Sequence, residues 1–149
     1  MHRFELRVRY GDVDQMGWVY YGNYLRFFEI GRAEMMRSLG RSYREVEDQD
    51  GVLLPVLDAR CRYRHGARYD EKVTIETGVL EAGRATVRFG YRVLGEDGEE
   101  CAVGYTEHCV VDRAGRPVRP PAHLARLLTT APRADDELQR AFSRAAGGS

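Results

Sequence analysis

Beyond Gly51 the apolar residues of this chain recur at every second position, which restricts that part of the molecule to β-strands with one buried face. The alternation is clearest between Arg84 and Leu94. The dipeptide Asp97-Gly98 follows it and is a strong indication of a two-residue hairpin turn. The pattern predicts four strands, over Leu53–Arg64, Lys72–Leu80, Arg84–Leu94 and Glu100–Asp112.

The first part of the chain has a different pattern. Residues Phe4 to Tyr10 alternate loosely and predict one further strand. From Asn23 to Leu39 the apolar residues recur near helical spacing, with Asn23 as a suitable N-cap and Gly40 as a suitable C-terminal cap. Short helices are expected at residues 42–50 and 123–129. A strand, one long helix and four strands in an antiparallel meander predict an α+β arrangement.

The domain organisation follows from length and composition. A chain of 149 residues can bury one ordinary core, and it contains no internal repeat. Pro117, Pro120 and Pro121 end the strand-forming region, and the residues after 130 are rich in Ala, Arg, Asp and Gly. We therefore expect a single domain over residues 1–130 and a mobile C-terminal tail over residues 131–149.

Charge and hydropathy argue against several classes of partner. The 23 basic and 23 acidic side chains cancel, so no net field would attract nucleic acid or an anionic membrane. No run of 18 or more apolar residues that could span a membrane occurs. The stretch from Met1 to Arg7 is too charged for a signal peptide. We expect a cytoplasmic protein with no nucleic-acid partner and no membrane span.

Residue types that usually mark cofactor or metal sites are missing or scattered. Lys72 is the only lysine, and no GxxxxGK, GxGxxG or GxSxG motif occurs. The three cysteines form no CxxC pair, and no HExxH pattern joins any of the four histidines. The sequence therefore predicts neither a metal nor an organic cofactor.

The densest group of polar and aromatic residues lies between Tyr10 and Glu29. Asp12 and Asp14 occupy a loop there, and an aromatic run leads from this loop into the long helix. The start of a helix presents unpaired backbone N–H groups and the positive end of the helix dipole, so it can hold a developing oxyanion. A carboxylate in the loop could act there as a base or nucleophile. Plain capping and turn roles for both aspartates are the alternative.

A wider set of residues forms a recognisable pattern: Asp12-Val13-Asp14, Gly17, Val19-Tyr20-Tyr21, Asn23-Tyr24, Phe28-Glu29, Gly31-Arg32, Pro55-Val56, Tyr63 and Tyr69-Asp70-Glu71. Over residues 4–121 the chain resembles the hot-dog acyl-CoA thioesterases, most closely the 4-hydroxybenzoyl-CoA thioesterase type. The resemblance implies a hot-dog fold, in which a five-stranded antiparallel sheet wraps the long helix. It also implies an acyl-CoA substrate and a homo-oligomer, either a dimer or a tetramer, with active sites at the dimer interface.

The resemblance assigns roles within the site. Asp14 matches the catalytic aspartate of the family, and Asp12 would then be structural. The backbone N–H of Tyr21 matches the group that polarises the thioester carbonyl. The similar Tol–Pal-associated acyl-CoA thioesterases have histidine at that position, so a role that needs an imidazole is expected to be absent here. Tyr10 matches a tyrosine near the site in those relatives, with packing at a strand end as the alternative.

Five further residues are expected to contact the substrate. Gly17 and Val19 belong to the matching loop. Arg84 stands where the resemblance places an arginine on the CoA phosphates, and Arg116 and Arg119 follow the last strand and could reach the same nucleotide. Guanidinium groups suit phosphates well, although an ordinary solvated surface position is the alternative for each arginine.

These observations predict an acyl-CoA thioesterase that releases a free acid, aromatic or short-chain, and CoA. Asp14 could act as a general base on water or attack the carbonyl itself, and the sequence leaves both routes open. Two other functions are weighed against this one. A hydratase would need a histidine near the helix, and none lies between Tyr10 and Leu39. The other is a non-catalytic acyl-CoA or acyl-carrier binding protein of the same fold.

Overall fold

The computed structural model of the chain describes residues 1–144. The helices and strands in chain order are β1 (His2–Arg7), α1 (Asn23–Ser38), α2 (Tyr43–Glu45), β2 (Val52–Leu53), β3 (Val56–Tyr63), β4 (Lys72–Ala82), β5 (Thr86–Leu94), β6 (Glu100–Cys109), β7 (Val111–Asp112), α3 (Ala122–Thr130) and α4 (Asp136–Phe142). A five-stranded antiparallel sheet has the strand order β1-β4-β5-β6-β3, and β2 and β7 form a separate two-stranded pair. The predicted α+β arrangement of one long helix and a five-stranded antiparallel sheet is confirmed.

Helix α1 packs its apolar face against one side of the sheet, which we call the inner face. Phe27, Phe28 and Met35 are fully buried there. Gly31 permits the close approach, because a Cβ at this position would lie 2.5 Å from a side-chain atom of Ile75 in β4. These large side chains and the close approach at Gly31 together hold α1 against the inner face of the sheet.

Of the two caps predicted for α1, the structure confirms the C-terminal one and contradicts the N-terminal one. Gly40 has φ +90° and follows the C-cap residue Leu39, and the Arg41 N–H donates to the Met36 carbonyl at 3.2 Å. This left-handed glycine ends the helix as predicted. The predicted N-cap was wrong, since the cap position is Gly22 and Asn23 is the first helical residue. The Asn23 side chain instead donates to the Asp12 carbonyl at 2.9 Å, because the preceding loop folds back over the helix start.

The predicted meander is correct only for β4, β5 and β6. β3 pairs with β6 rather than with β4, and β4 pairs with β1 along its other edge. The connection of residues 64–71 therefore crosses from one edge of the sheet towards the other, where the Asp70 N–H donates to the Val8 carbonyl at 2.9 Å. Alternating hydrophobicity identifies strands, but it does not specify which strands are neighbours. The short helix predicted at residues 42–50 is present as α2 followed by a π-helical turn over Val46–Asp50.

The C-terminal segment differs from the predicted mobile tail. The Val79 N–H donates to the Pro132 carbonyl at 2.8 Å, and the Ala134 N–H donates back to the Val79 carbonyl at 3.0 Å. Helix α4 then packs on the outer face of the sheet, where Leu138 and Phe142 are buried against Leu80. Residues 131–144 thus belong to the folded unit, and the remainder of the predicted tail, residues 145–149, lies outside the described residues.

A buried arginine on the outer face explains why such a polar segment can dock. Arg92 of β5 forms ion pairs with two sheet residues, Glu76 at 3.1 Å and Glu100 at 3.1 Å. It also pairs with Asp135, the N-cap of α4, at 2.7 Å and with Glu137 of α4 at 3.0 Å. Its five donors suit several carboxylates at once. The acidic residues of a segment that was predicted to be a mobile tail therefore attach that segment to the sheet. Within residues 1–144 no helix is long and apolar enough to cross a membrane.

Candidate active site

Asp12 is the residue that holds the loop before α1 in place. Asp12 is 8% exposed, and its side chain accepts the Arg9 N–H at 2.8 Å and forms an ion pair with Arg26 of α1. Its backbone carbonyl accepts the Tyr20 N–H at 2.9 Å as well as the Asn23 side chain. These contacts join Asp12 to residues on both sides of it in sequence, and they fix the loop against the start of α1. They support the structural role predicted for Asp12.

Asp14 lies in a tight turn and is only partly buried. Its carbonyl accepts the Gly17 N–H at 3.0 Å, and Gly17 has φ +83°, a conformation that favours glycine. Asp14 Oδ1 accepts the Met16 N–H at 2.9 Å. No donor within residues 1–144 reaches Asp14 Oδ2, so this oxygen is available to a water or a substrate atom.

The backbone at the start of α1 offers a free donor. No acceptor within residues 1–144 takes the Tyr21 N–H, whereas the Asn23 N–H bonds to the Tyr20 carbonyl at 2.9 Å. The Tyr21 carbonyl accepts the Tyr63 hydroxyl at 3.1 Å, which ties this peptide to the end of β3. An N–H held in place at a helix start is the kind of group that stabilises a developing oxyanion.

One cavity of about 230 Å³ brings the two predicted reacting groups together. Its wall contains Asp14 and Tyr21, and the rest is largely aromatic. The Tyr63 ring lies 5.6 Å from Tyr24 and 6.3 Å from Tyr21, each edge to face. The full lining is Asp14, Met16, Trp18, Val19, Tyr21, Tyr24, Tyr63, Arg64, His65 and Gly66. Asp14, Tyr21 and flat aromatic walls thus share one space.

The predicted contacts Val19 and Gly17 are placed differently. The Val19 side chain lines the cavity, but its N–H donates to the Ala67 carbonyl at 2.8 Å and cannot bind a substrate. Gly17 lines a second, open recess of about 620 Å³ on the other side of Asp14. Its structural contribution is the turn that presents Asp14.

Tyr10 also lines the second recess rather than the first. It is 81% exposed, and its ring meets Tyr69 edge to face at 5.7 Å. Asp14 is therefore shared between two recesses, one with Tyr21 and one with Tyr10. The catalytic role predicted for Tyr10 stays a prediction.

The three predicted phosphate-binding arginines lie far from Asp14 in this chain. Tyr63 pairs with Ala102, which pairs with Val93 at one end of β5. Arg84 and Arg116 belong to loops beyond the opposite end, where Thr86 pairs with Cys109. At about 3.3 Å per residue the two ends of β5 lie about 23 Å apart. Arg84, Arg116 and Arg119 therefore lie at the end of the sheet opposite the cavity of their own chain.

Sequence reasoning missed His65, which lines the cavity from the connection after β3. Its Nδ1 lies 3.7 Å from Glu99 Oε2, and the neighbouring Arg64 pairs with Glu100 at 3.4 Å. An imidazole thus lines the same cavity as Asp14, although none was expected. His65 lies outside the stretch from Tyr10 to Leu39, which contains no histidine. The one indication in the sequence was that His65 directly follows a predicted strand. It therefore had to lie near one end of the sheet, which is the end that holds the cavity.

Other reactive groups near the cavity are poorly suited to chemistry. Burial raises the pKa of both the Cys61 and the Cys101 thiols to about 11, so they stay protonated and weakly nucleophilic. Burial likewise raises the pKa of Tyr24 to about 12. Within residues 1–144 no three His, Cys, Asp or Glu side chains gather as a metal site would require.

Comparison with known proteins places this site in a family. Residues 8–142 match the family model described as the thioesterase-like superfamily. The acyl-CoA thioesterase YbgC of Haemophilus influenzae is 33% identical over 91 residues, which cover 61% of this chain and 67% of that protein.

Two solved structures are similar in both fold and sequence. A hypothetical protein of Aquifex aeolicus has 32% identity and a TM-score of 0.81, covering 86% of this chain and 99% of that one. A DHNA-CoA thioesterase of Staphylococcus aureus has 34% identity and a TM-score of 0.75, covering 78% of each chain. The chain belongs to the thioesterase-like superfamily. The predicted hot-dog fold and the predicted enzyme class, a thioester hydrolase, are both confirmed.

Proposed function

We propose that this chain hydrolyses an acyl-CoA thioester, with Asp14 and the Tyr21 N–H as its reacting groups. The observation that carries the proposal is that Asp14 and Tyr21 both line one cavity. Asp14 Oδ2 has no donor, and the Tyr21 N–H has no acceptor, within residues 1–144. Hydrolysis needs both a group that accepts a proton or attacks carbon and a donor for the carbonyl oxygen.

The chemistry can follow either of two routes. As a base, Asp14 removes a proton from water while the water oxygen bonds to the carbonyl carbon. The negative oxygen of the tetrahedral intermediate accepts the Tyr21 N–H. The C–S bond then breaks, and the proton passes to the thiolate. As a nucleophile, Asp14 first forms a mixed anhydride and releases the thiolate, and water hydrolyses the anhydride.

The cavity walls favour a flat and short acyl group. Three tyrosine rings and one indole face a volume of about 230 Å³. Aromatic walls bind another ring by offset or edge-to-face contact. An aromatic acyl group would use these walls, while a long acyl chain would extend out of the cavity.

A second copy of the chain would supply the phosphate contacts. β3 lies at one edge of the sheet with unpaired backbone groups along one side, and an exposed edge of this kind favours pairing with another strand. Antiparallel pairing of β3 with β3 of a second copy would bring the arginine end of one sheet towards the Asp14 end of the other.

The deciding experiment measures thiol release from a panel of aromatic, short-chain and long-chain acyl-CoAs. Turnover highest on aromatic or short acyl groups supports the proposal. Saturable binding without thiol release would favour the non-catalytic binding protein instead. Light scattering at micromolar concentration should give a mass of at least twice 17.0 kDa. A fully active species of 17.0 kDa would contradict the shared site.

A further inference from the structure

Arg32 is a buried arginine on helix α1, with only 9% of the residue exposed. Nη1 donates to the Tyr91 hydroxyl at 3.0 Å and to Thr106 Oγ1 at 3.3 Å, and Nε is buried without an acceptor. Within residues 1–144 no carboxylate lies within 4.0 Å of this guanidinium.

The groups around Arg32 do not neutralise it. Tyr91 is buried and Tyr43 is half-buried with its hydroxyl out of contact with water, and burial raises the pKa of each, so they are uncharged phenols at neutral pH. His108 shares the Thr106 hydroxyl with Arg32, and burial together with the positive charge of Arg32 lowers its pKa to about 4. An arginine stays protonated in proteins. A buried positive charge without a counter-ion strongly destabilises a fold.

Arg32 forms part of an open groove between α1 and the edge strand β3. The groove has a volume of about 420 Å³ and is lined by Leu25, Arg26, Glu29, Arg32, Val56, Ala59 and Thr106. Glu29 is exposed on the same helix and forms no ion pair within residues 1–144. Arg26 is already paired with Asp12. The groove therefore contains one unpaired acid and one unpaired buried base.

We propose that α1 of a second copy covers this groove, and that Glu29 of each copy pairs with Arg32 of the other. The proposal rests on the dimer of the proposed function and specifies its central contact. A two-fold axis makes every contact reciprocal, so the free acid of each copy can pair with the free base of the other. The unpaired β3 edge and the exposed Leu25 and Val56 lie along the same seam.

A small anion is a poorer occupant than a second copy. It would neutralise Arg32 but would lie beside the negative Glu29, which lines the same groove. It would also leave the apolar side chains Leu25 and Val56 in water. Only a surface that brings both an acid and apolar area satisfies all of these groups at once.

The test measures the dimer dissociation constant by sedimentation for Glu29→Gln and for the matched control Glu34→Gln. Glu34 lies on α1 but pairs with Arg37 and does not line the groove. Loss of one partner of a buried pair should weaken the dimer at least about 30-fold in Glu29→Gln. Glu34→Gln should dissociate as the wild type does. Equal dissociation constants for the two variants would overturn the pairing.

A double-mutant cycle with Arg32→Met tests the pair directly. Adding Glu29→Gln to Arg32→Met should cause little further loss, because the partner charge is already absent. Full additivity of the two changes would contradict the proposal. If Arg32→Met does not fold, Glu29→Lys replaces it and should leave a monomer. Thiol release measured on the same samples separates the outcomes, since a wild-type dimer that hydrolyses acyl-CoA but is insensitive to Glu29 refutes only this inference.

Discussion

Arg26 of helix α1 forms an ion pair with Asp12 of the preceding loop, and this pair leaves the neighbouring Asp14 as the loop's available carboxylate. Asp12 is further occupied by the Arg9 N–H. Asp14, two residues later, spends one oxygen on the Met16 N–H and keeps the other free of protein donors within residues 1–144. Asp12 therefore holds the loop in place, and Asp14 keeps one carboxylate oxygen available to react.

The first prediction separates these two aspartates by Asp14→Asn. The change keeps the size of the side chain and removes its ability to accept a proton or attack carbon. The turnover number should fall at least about 10²-fold, the lower range for loss of a general base. Steady-state thiol release and a binding titration with the same acyl-CoA give turnover and affinity, and affinity should change little.

Asp12→Asn is the matched control. It removes the charge that pairs with Arg26 beneath the loop, so we expect a lower melting temperature more than a lower turnover number. Near-full turnover in Asp14→Asn together with its loss in a folded Asp12→Asn would reverse the assignment. Unchanged hydrolysis in both variants would refute the mechanism.

The second prediction concerns Tyr21, whose backbone rather than side chain should act. Tyr21→Phe should keep the turnover number within about threefold, because the N–H at the helix start remains. An α-hydroxy acid at position 21, which replaces the amide by an ester, should reduce turnover about 10²- to 10³-fold, as loss of an oxyanion donor does. A 10²-fold loss in Tyr21→Phe would instead assign the reaction to the phenol.

The third prediction tests whether arginines of one copy serve the site of the other. A chain with Arg84, Arg116 and Arg119 all changed to Ala should have a raised KM, and Asp14→Asn should have almost no turnover. A co-expressed mixed dimer of the two contains one site with both Asp14 and its arginines. This dimer, isolated by two tags, should recover a low KM at about half the wild-type turnover, since one of two sites is intact. A KM as high as that of the triple alanine variant would mean that these arginines do not bind the CoA phosphates at the partner's site.

The fourth prediction concerns stability in acid. Burial lowers the pKa of His108 to about 4, below its ordinary value of 6.5. Between these values the unfolded chain binds more protons than the folded one, so stability falls as the pH falls. The loss from this group between pH 7 and pH 5 should be about 2 kcal/mol. Urea unfolding at both pH values should show a smaller pH dependence in His108→Gln, and the exposed control His65→Gln should behave like the wild type.

Local patterns in the sequence determine the long helix and the loop that precedes it. The helical spacing after Asn23 and the left-handed position at Gly40 specify α1 almost to the residue. Asp14 and Tyr21 share a cavity because they are close in sequence on either side of one short loop. Such features depend on backbone geometry over a few residues, which the side chains of those residues control.

Tertiary structure decided everything that depends on which distant segments meet. Strand alternation cannot choose the neighbour of β3, and that choice brings Tyr63 and His65 to Asp14 and sends Arg84 about 23 Å away along the sheet. Composition made residues 131–144 look like a tail, because the acids that bind Arg92 are recognisable as an attachment only beside that buried charge. Pairing and burial are properties of the assembled chain, whereas period and turn are properties of the sequence itself.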